Sequence, residues 1–196
     1  GTQKLYKKNY LDIAKMISVA ENGMNVDSLF ENKDSLCKVH DLIAVPTTCG
    51  TGSEVTNVAV VNRTKLGTKM GLAAPQLYPE YAVLISGMLK TLPYKVFATS
   101  SIDAMVHAVE SFLSPNACNF SEIFSKNALE IIIRSWEKAL RDGQVKEEWK
   151  TYSADFLRAS NYAGIAFGYA GCAAVHASSY PIGGKYHVPH GQSNQL

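Results

Sequence analysis

The chain has 196 residues, of which 46% are apolar and 18% charged, so it can build a core and is not a disordered tail. Its 19 basic and 17 acidic residues leave a net charge of +2, and like charges form no long run, which excludes an electrostatic footprint for nucleic acid. No apolar stretch is long enough for a membrane span and residues 1–9 are polar, so neither a span nor a signal peptide is expected.

Residues 10–20 carry Leu11, Ala14, Met16 and Ile17 at the spacing of a short amphipathic helix. Three compact apolar runs follow: 42–45, closed by Pro46, then 58–61 and 82–85. Each suits a buried strand of a parallel sheet, and together with the helix they predict an α/β layer. After Pro93 the pattern turns helical. Residues 94–113 contain nothing that stops a helix, and Phe120, Phe124, Ala128, Ile131, Ile132, Trp136 and Leu140 recur at helical spacing up to Asp142-Gly143. Trp149, Tyr152, Phe156, Ala159, Ala163 and Phe167 form another such stripe, and both stripes read as core. A small-residue helix is expected over 168–175.

These patterns predict two domains. Residues 1–92 are the remainder of an α/β domain, and residues 93–196 form an all-α domain. The strands are too few to close a sheet with helices on both faces, and residues 191–196 end in what reads as the start of a helix. The sequence is therefore expected to be an excerpt of a longer protein. Cys37, Cys49, Cys118 and Cys172 form no C-x-x-C pair, which predicts free thiols in a reducing cytoplasm rather than disulfides or a structural zinc site.

Three features can carry chemistry. Asp103 and His107 sit four residues apart, on one face of the 94–113 helix, among Ile102, Met105, Val106 and Val109. A surface ion pair is the common reading of such spacing, but in apolar surroundings a carboxylate and an imidazole call for a partner charge, which a metal ion would supply. Glu110, one turn on, reads either as an acceptor behind the ligands or as a surface charge. Next, His176, His187 and His190 fall within fifteen residues, and the turn 181–184 followed by Pro189-His190-Gly191 can bring His176 and His190 to one point. Three imidazoles and one carboxylate suit Fe²⁺ or Zn²⁺ with a position left for substrate oxygen. His187 reads as a hydrogen-bonding residue on the substrate side, and His40 as structural. Finally, Pro46-Thr47-Thr48-Cys49-Gly50-Thr51-Gly52-Ser53-Glu54 follows an expected strand, where α/β folds bind ligands, and offers hydroxyls and amides to a phosphate or a ribose.

The order and wording of these segments resemble the iron-containing alcohol dehydrogenases. Residues 46–56 (Pro-Thr-Thr-Cys-Gly-Thr-Gly-Ser-Glu-Val-Thr) are similar to that family's cofactor loop. Residues 102–110 (Ile-Asp-Ala-Met-Val-His-Ala-Val-Glu) are similar to its first metal-ligand helix. Val-His-Ala at 175–177 with Tyr-Pro-Ile-Gly-Gly-Lys-Tyr-His-Val-Pro-His-Gly at 180–191 is similar to its second ligand segment. The resemblance implies an NAD(P)-dependent enzyme acting on a small alcohol or aldehyde, with an α/β dinucleotide-binding domain, an all-helical metal domain and catalysis between them.

It further implies Asp103, His107, His176 and His190 as ligands of Fe²⁺ (or Zn²⁺), and contacts to NAD (or NADP) from Thr47, Thr48, Thr51, Gly52, Lys69 and Asp12. Asp12 belongs to an Asp-x-x-Lys that follows the family's Gly-Gly-Gly-Ser loop. That loop is absent here, Ser86-Gly87 stands near the usual Asp-Pro, and Tyr180 stands where many members place a proton-relaying histidine. Tyr180 is then either a relay or a packing residue beside a relay through His187 or water.

The tail most resembles the 4-hydroxybutyrate dehydrogenase branch. Lys185 is either a cation for the carboxylate of succinic semialdehyde or an exposed loop residue. A butanol-type alcohol dehydrogenase is the nearest alternative. A metal-dependent hydrolase would share the donor set but not the 47–54 loop. A homo-oligomer is expected.

Overall fold

The computed structural model describes residues 10–21, 24–63, 68–141 and 145–171, the side chains of Asn62, Thr68, Lys69 and Val145 excepted. The chain opens with helix α1 (Tyr10–Val19) and helix α2 (Val26–Glu31). Asn25 caps α2 by a reciprocal box: its side chain accepts from Ser28 N–H at 3.0 Å, and Ser28 Oγ accepts from Asn25 N–H at 3.0 Å. Four strands follow, β1 (Ile43–Ala44), β2 (Val58–Arg63), β3 (Thr68–Ala73) and β4 (Tyr81–Ala82). The second half is helical: α3 (Tyr94–Leu113), α4 (Asn119–Arg141), α5 (Val145–Glu148), a 3₁₀ turn at Trp149–Tyr152, and α6 (Ser153–Ala170). An α/β part followed by a helical part is the expected fold class.

The helical half matches its sequence pattern closely. Pro93 stands immediately before α3, at the place where its missing N–H costs nothing. Phe97 is the centre of the core. Its ring stacks on Trp149 at 3.8 Å and meets Phe156 edge-on at 4.7 Å, with Trp136 at 5.2 Å. Small residues line the seams between α3, α4 and α6, with Ala104, Ala108, Ala128, Ala159 and Ala163 all buried, so the backbones approach closely. The stripes do face the core, apart from the ends of the α4 stripe, where Phe120 and Leu140 are exposed. α6 stops at Ala170, because Gly171 takes φ 73° and returns its N–H to Phe167 O at 2.8 Å. The helix expected over 168–175 is thus not continuous: residues 168–170 are the last turn of α6, and 172–175 lie outside the described residues.

Three expectations for the first half need correction. β1 and β4 do pair in parallel, Ile43 opposite Tyr81, but the strand ends at Ala82 and Val83 to Ile85 continue it by only one bond, Val83 N–H to Ala44 O. Their side chains are exposed rather than buried, as is Ile43 at 62%. β2 is not a parallel strand. It forms an antiparallel hairpin with β3, Ala59 facing Leu72 in the core, because a link of four residues is too short for a parallel crossover. In α1, Ile17 is 58% exposed while Lys15 is fully buried beside Met16 and Val19, so the inward face is turned from the one its apolar residues suggest. Met16 and Val19 pack with Leu29, Leu36, Ala59, Leu72 and Leu77 in a second core.

Candidate active site

The segment between β1 and β2 is one place where the two halves touch; residues 86–89 also meet α6, with Leu89 in the helical core. Residues at 46, 49, 50 and 52 turn inward and are buried, while Thr47 and Thr51 are exposed and Thr48 half-buried, so the hydroxyls lie on the open side. Cys49 is held in the helical core, and burial pushes its thiol up to about 12, which makes it an inert packing residue. Gly50 abuts α3 so closely that a Cβ would sit 2.8 Å from Ser100 Cβ and O. Gly52 takes a left-handed φ of 57° and lies against Gly164 of α6, where a Cβ would sit 2.4 Å from the Gly164 Cα.

Directly under this loop lies one face of α3. Asp103, His107 and Glu110 are 3%, 4% and 5% exposed, so the surface-charge readings of the Asp/His pair and of Glu110 both fall. His107 Nδ1–H donates to the Gly50 carbonyl at 3.2 Å. A carbonyl can only accept, so this bond places a proton on Nδ1 and leaves Nε2 as the nitrogen that can face a metal. An imidazole held at Nδ1 by an acceptor behind it is the arrangement in which histidine binds a metal through Nε2. The Phe167 ring flanks the imidazole at 5.2 Å. A carboxylate and an oriented imidazole, one turn apart and withdrawn from water, fit half of a divalent metal site. Among the described residues no third ligand joins them. His176, His187, His190, Tyr180 and Lys185 lie outside those residues.

On its other flank the loop is stitched to α1. Lys15 Nζ donates to Ser53 Oγ at 3.0 Å, Thr56 Oγ1 at 3.2 Å and Val58 O at 2.9 Å. Burial pulls its ammonium down to about 8, against the opposing pull of Asp12 and Glu54. Asp12, half-buried, accepts from Ser53 Oγ at 3.2 Å, and burial raises its carboxyl above the usual range. Burial likewise raises Glu54, whose Oε1 accepts from Asn161 Nδ2 of α6 at 3.0 Å. Asp12 and the threonines therefore meet at one loop, while Lys69 lies in β3 opposite Asn62 with its side chain outside the described set. His40 is exposed, and its backbone N–H bonds Ser18 O at 3.0 Å.

Lys15 and Glu54 fall inside the Asp-x-x-Lys and the 46–54 loop without a role of their own in the sequence reading, and Asn161 falls in no motif. A lysine inside a helix ordinarily reads as solvated, and nothing in sequence joins positions 54 and 161. An open apolar groove of about 440 Å³ between α3 and α4, lined by Ile102, Met105, Ile133 and Trp136, lies away from Asp103 and His107. It offers no comparable chemistry.

Comparison with known proteins bears on this arrangement. Residues 9–86 match the model of the iron-containing alcohol dehydrogenases, and residues 97–196 match that of the C-terminal part of the same family. The chain is 50% identical to the 4-hydroxybutyrate dehydrogenase of Clostridium kluyveri over 95% of its own length and 49% of that protein. It superposes with a TM-score of 0.82 on the iron-containing alcohol dehydrogenase of Thermotoga maritima, at 27% identity, covering 94% of this chain and 49% of that one. With the sulfoacetaldehyde reductase of Bifidobacterium kashiwanohense, solved in complex with NAD⁺, the TM-score is 0.83 at 25% identity, over 94% and 48%. The chain spans about half the length of the curated relatives it matches.

Proposed function

We propose that this chain, which belongs to the iron-containing alcohol dehydrogenase family, carries the catalytic centre of an NAD(P)-linked enzyme that interconverts 4-hydroxybutyrate and succinic semialdehyde. The observation that carries the reading is the buried Asp103–His107 pair lying beneath a hydroxyl-rich loop that itself orients His107. Asp103 and His107, with His176 and His190, would hold the metal, Fe²⁺ or Zn²⁺. Thr47, Thr48 and Thr51, on the open side of the loop, would take the dinucleotide together with Gly52, Lys69 and Asp12. When bound, the metal would supply Lewis-acid polarisation of the substrate oxygen and the dinucleotide a hydride.

The chain's own residues provide position and exclude water. The Gly50 carbonyl fixes the His107 ring, Phe167 and the α3–α6 seam shield it, and Gly52 lets the loop lie flat on α6. Tyr180 or His187 would carry the proton, and Lys185 would pair with the substrate carboxylate. The division into an α/β part and a helical metal part falls at residues 92–93.

The test is an anaerobic assay with Fe²⁺, following NADH loss with succinic semialdehyde and with butyraldehyde. A strong preference for the acid supports the hydroxybutyrate reading. Equal rates leave a general alcohol dehydrogenase, and no NADH loss with bound metal removes the dehydrogenase reading. His107→Ala should lose both metal and turnover.

A further inference from the structure

The metal-facing side of α3 is held by a loop, and the loop is held by residues far from the metal. Gly50, whose carbonyl orients His107, is separated from Glu54 by a left-handed turn at Gly52 and the start of the 3₁₀ turn Ser53–Val55. Glu54 is 3% exposed and its Oε1 is bonded to Asn161, itself 8% exposed, across the junction with α6. From the opposite flank Lys15 grips Ser53, Thr56 and Val58. Between these anchors Gly52 is pressed on Gly164. The segment 50–56 is therefore fixed at both sides, and the position of the Gly50 carbonyl relative to the His107 imidazole follows from those anchors.

Building on the ligand assignment made above, we propose that Glu54, through its bond to Asn161, is a positioning residue for His107. It keeps the Gly50 carbonyl on Nδ1 and so keeps Nε2 aimed as a metal donor. Glu54 contacts neither Asp103 nor His107 by any hydrogen bond among the described residues, so its influence passes through the backbone of residues 50–54. A buried carboxylate that served packing alone could be replaced at the cost of fold stability with no change in how the folded protein holds metal. A positioning residue changes the metal site in protein that is still folded.

The experiment uses the full-length protein stripped of metal and titrated with Co²⁺ against a competing chelator. Visible absorption reports the ligand geometry, and circular dichroism verifies that each variant is folded at the titration temperature. Glu54→Ala and Asn161→Ala are expected to weaken Co²⁺ binding roughly 10–100-fold and to alter the visible band, the range typical of losing a group that orients a ligand. Glu54→Gln keeps an oxygen for Asn161 and is expected to restore wild-type affinity and spectrum. Wild-type affinity in both alanine variants overturns the proposal, as does a Glu54→Gln variant no better than alanine. If Glu54→Ala does not fold, Asn161→Ala decides alone. His107→Ala, measured alongside, separates the two levels. Wild-type Co²⁺ affinity there removes the ligand assignment itself, whereas its loss there with no effect at 54 and 161 removes only the positioning role.

Discussion

The helical region, residues 94–170, and the α/β region, residues 10–89, solve burial differently. In the first, α3, α4 and α6 follow one another in the chain and bury one aromatic centre, with Phe97, Trp149 and Phe156 all at 1% exposure or less. In the second, Ile43 must find Tyr81 to make its sheet, where Ala44 is buried but Ile43 and Tyr81 are exposed, as are Val83 and Ile85 just beyond β4. The α/β region also takes an ammonium, Lys15, into its interior where the helical region places aromatic rings. A core of near neighbours in sequence can be apolar throughout. The 46–56 loop, exposed on one side, is anchored on the other by polar bonds, which are directional where apolar contacts are not.

Four substitutions would break or sharpen that contrast. The largest effect should come from Phe97→Ala, which empties the centre of the helical core and should cost about 3–5 kcal/mol by urea unfolding. A cost under about 1 kcal/mol would mean that the aromatic centre is not what holds this region together.

Lys15→Met tests the polar anchor through pH. The Lys15 ammonium titrates at about 8 in the folded chain, against 10.5 as its ordinary value. Between those values the unfolded chain holds more protons than the folded one, so Lys15's contribution to stability rises with pH across that window, and below it the burial penalty is present in full. Asp12 and Glu54, both raised, work in the opposite direction in acid: their contribution falls as pH rises above the ordinary carboxylate range. Wild type should therefore gain about 2–3 kcal/mol over Lys15→Met between pH ~7.5 and pH ~10.5. A difference that stays flat with pH would show a hydrated amine.

Gly164→Ala tests the seam by sign. Helix propensity alone would make it stabilising by about 1 kcal/mol. The new Cβ would lie 2.7 Å from Gly52 Cα and O, so destabilisation of about 1–3 kcal/mol is expected, measured as a lowered Tm. A raised Tm would mean that the two regions do not press on each other there. Smallest of all should be Arg134→Ala, which removes an exposed i,i+4 pair with Glu130 and should shift stability by less than about 0.5 kcal/mol. A larger shift would bring surface charge into the account of the helical region.

What the sequence reveals follows the same contrast. α3 is legible from Tyr94 to Leu113 because Pro93 marks its start and its partners repeat at helical spacing. The parallel pairing of β1 with β4 is legible in kind, although its extent is not, since strand ends depend on the neighbouring strands. β3 escapes notice because Thr-Lys-Met-Gly-Leu-Ala has weak strand character and becomes a strand only opposite β2. In the candidate site, Asp103 and His107 are visible as a local spacing. The Gly50 carbonyl that orients His107 and the Glu54–Asn161 bond are long-range contacts with no local signature.

The Gly52–Gly164 contact has a consequence for recombination. Each glycine already lacks the atom that would collide, so neither position can be trimmed further to make room for a side chain at the other. A bulkier residue on one side thus has no compensating change on the other. A chimera that joins the first half of one relative to the second half of another should therefore lose stability unless the first parent supplies glycine at 52 and the second supplies glycine at 164.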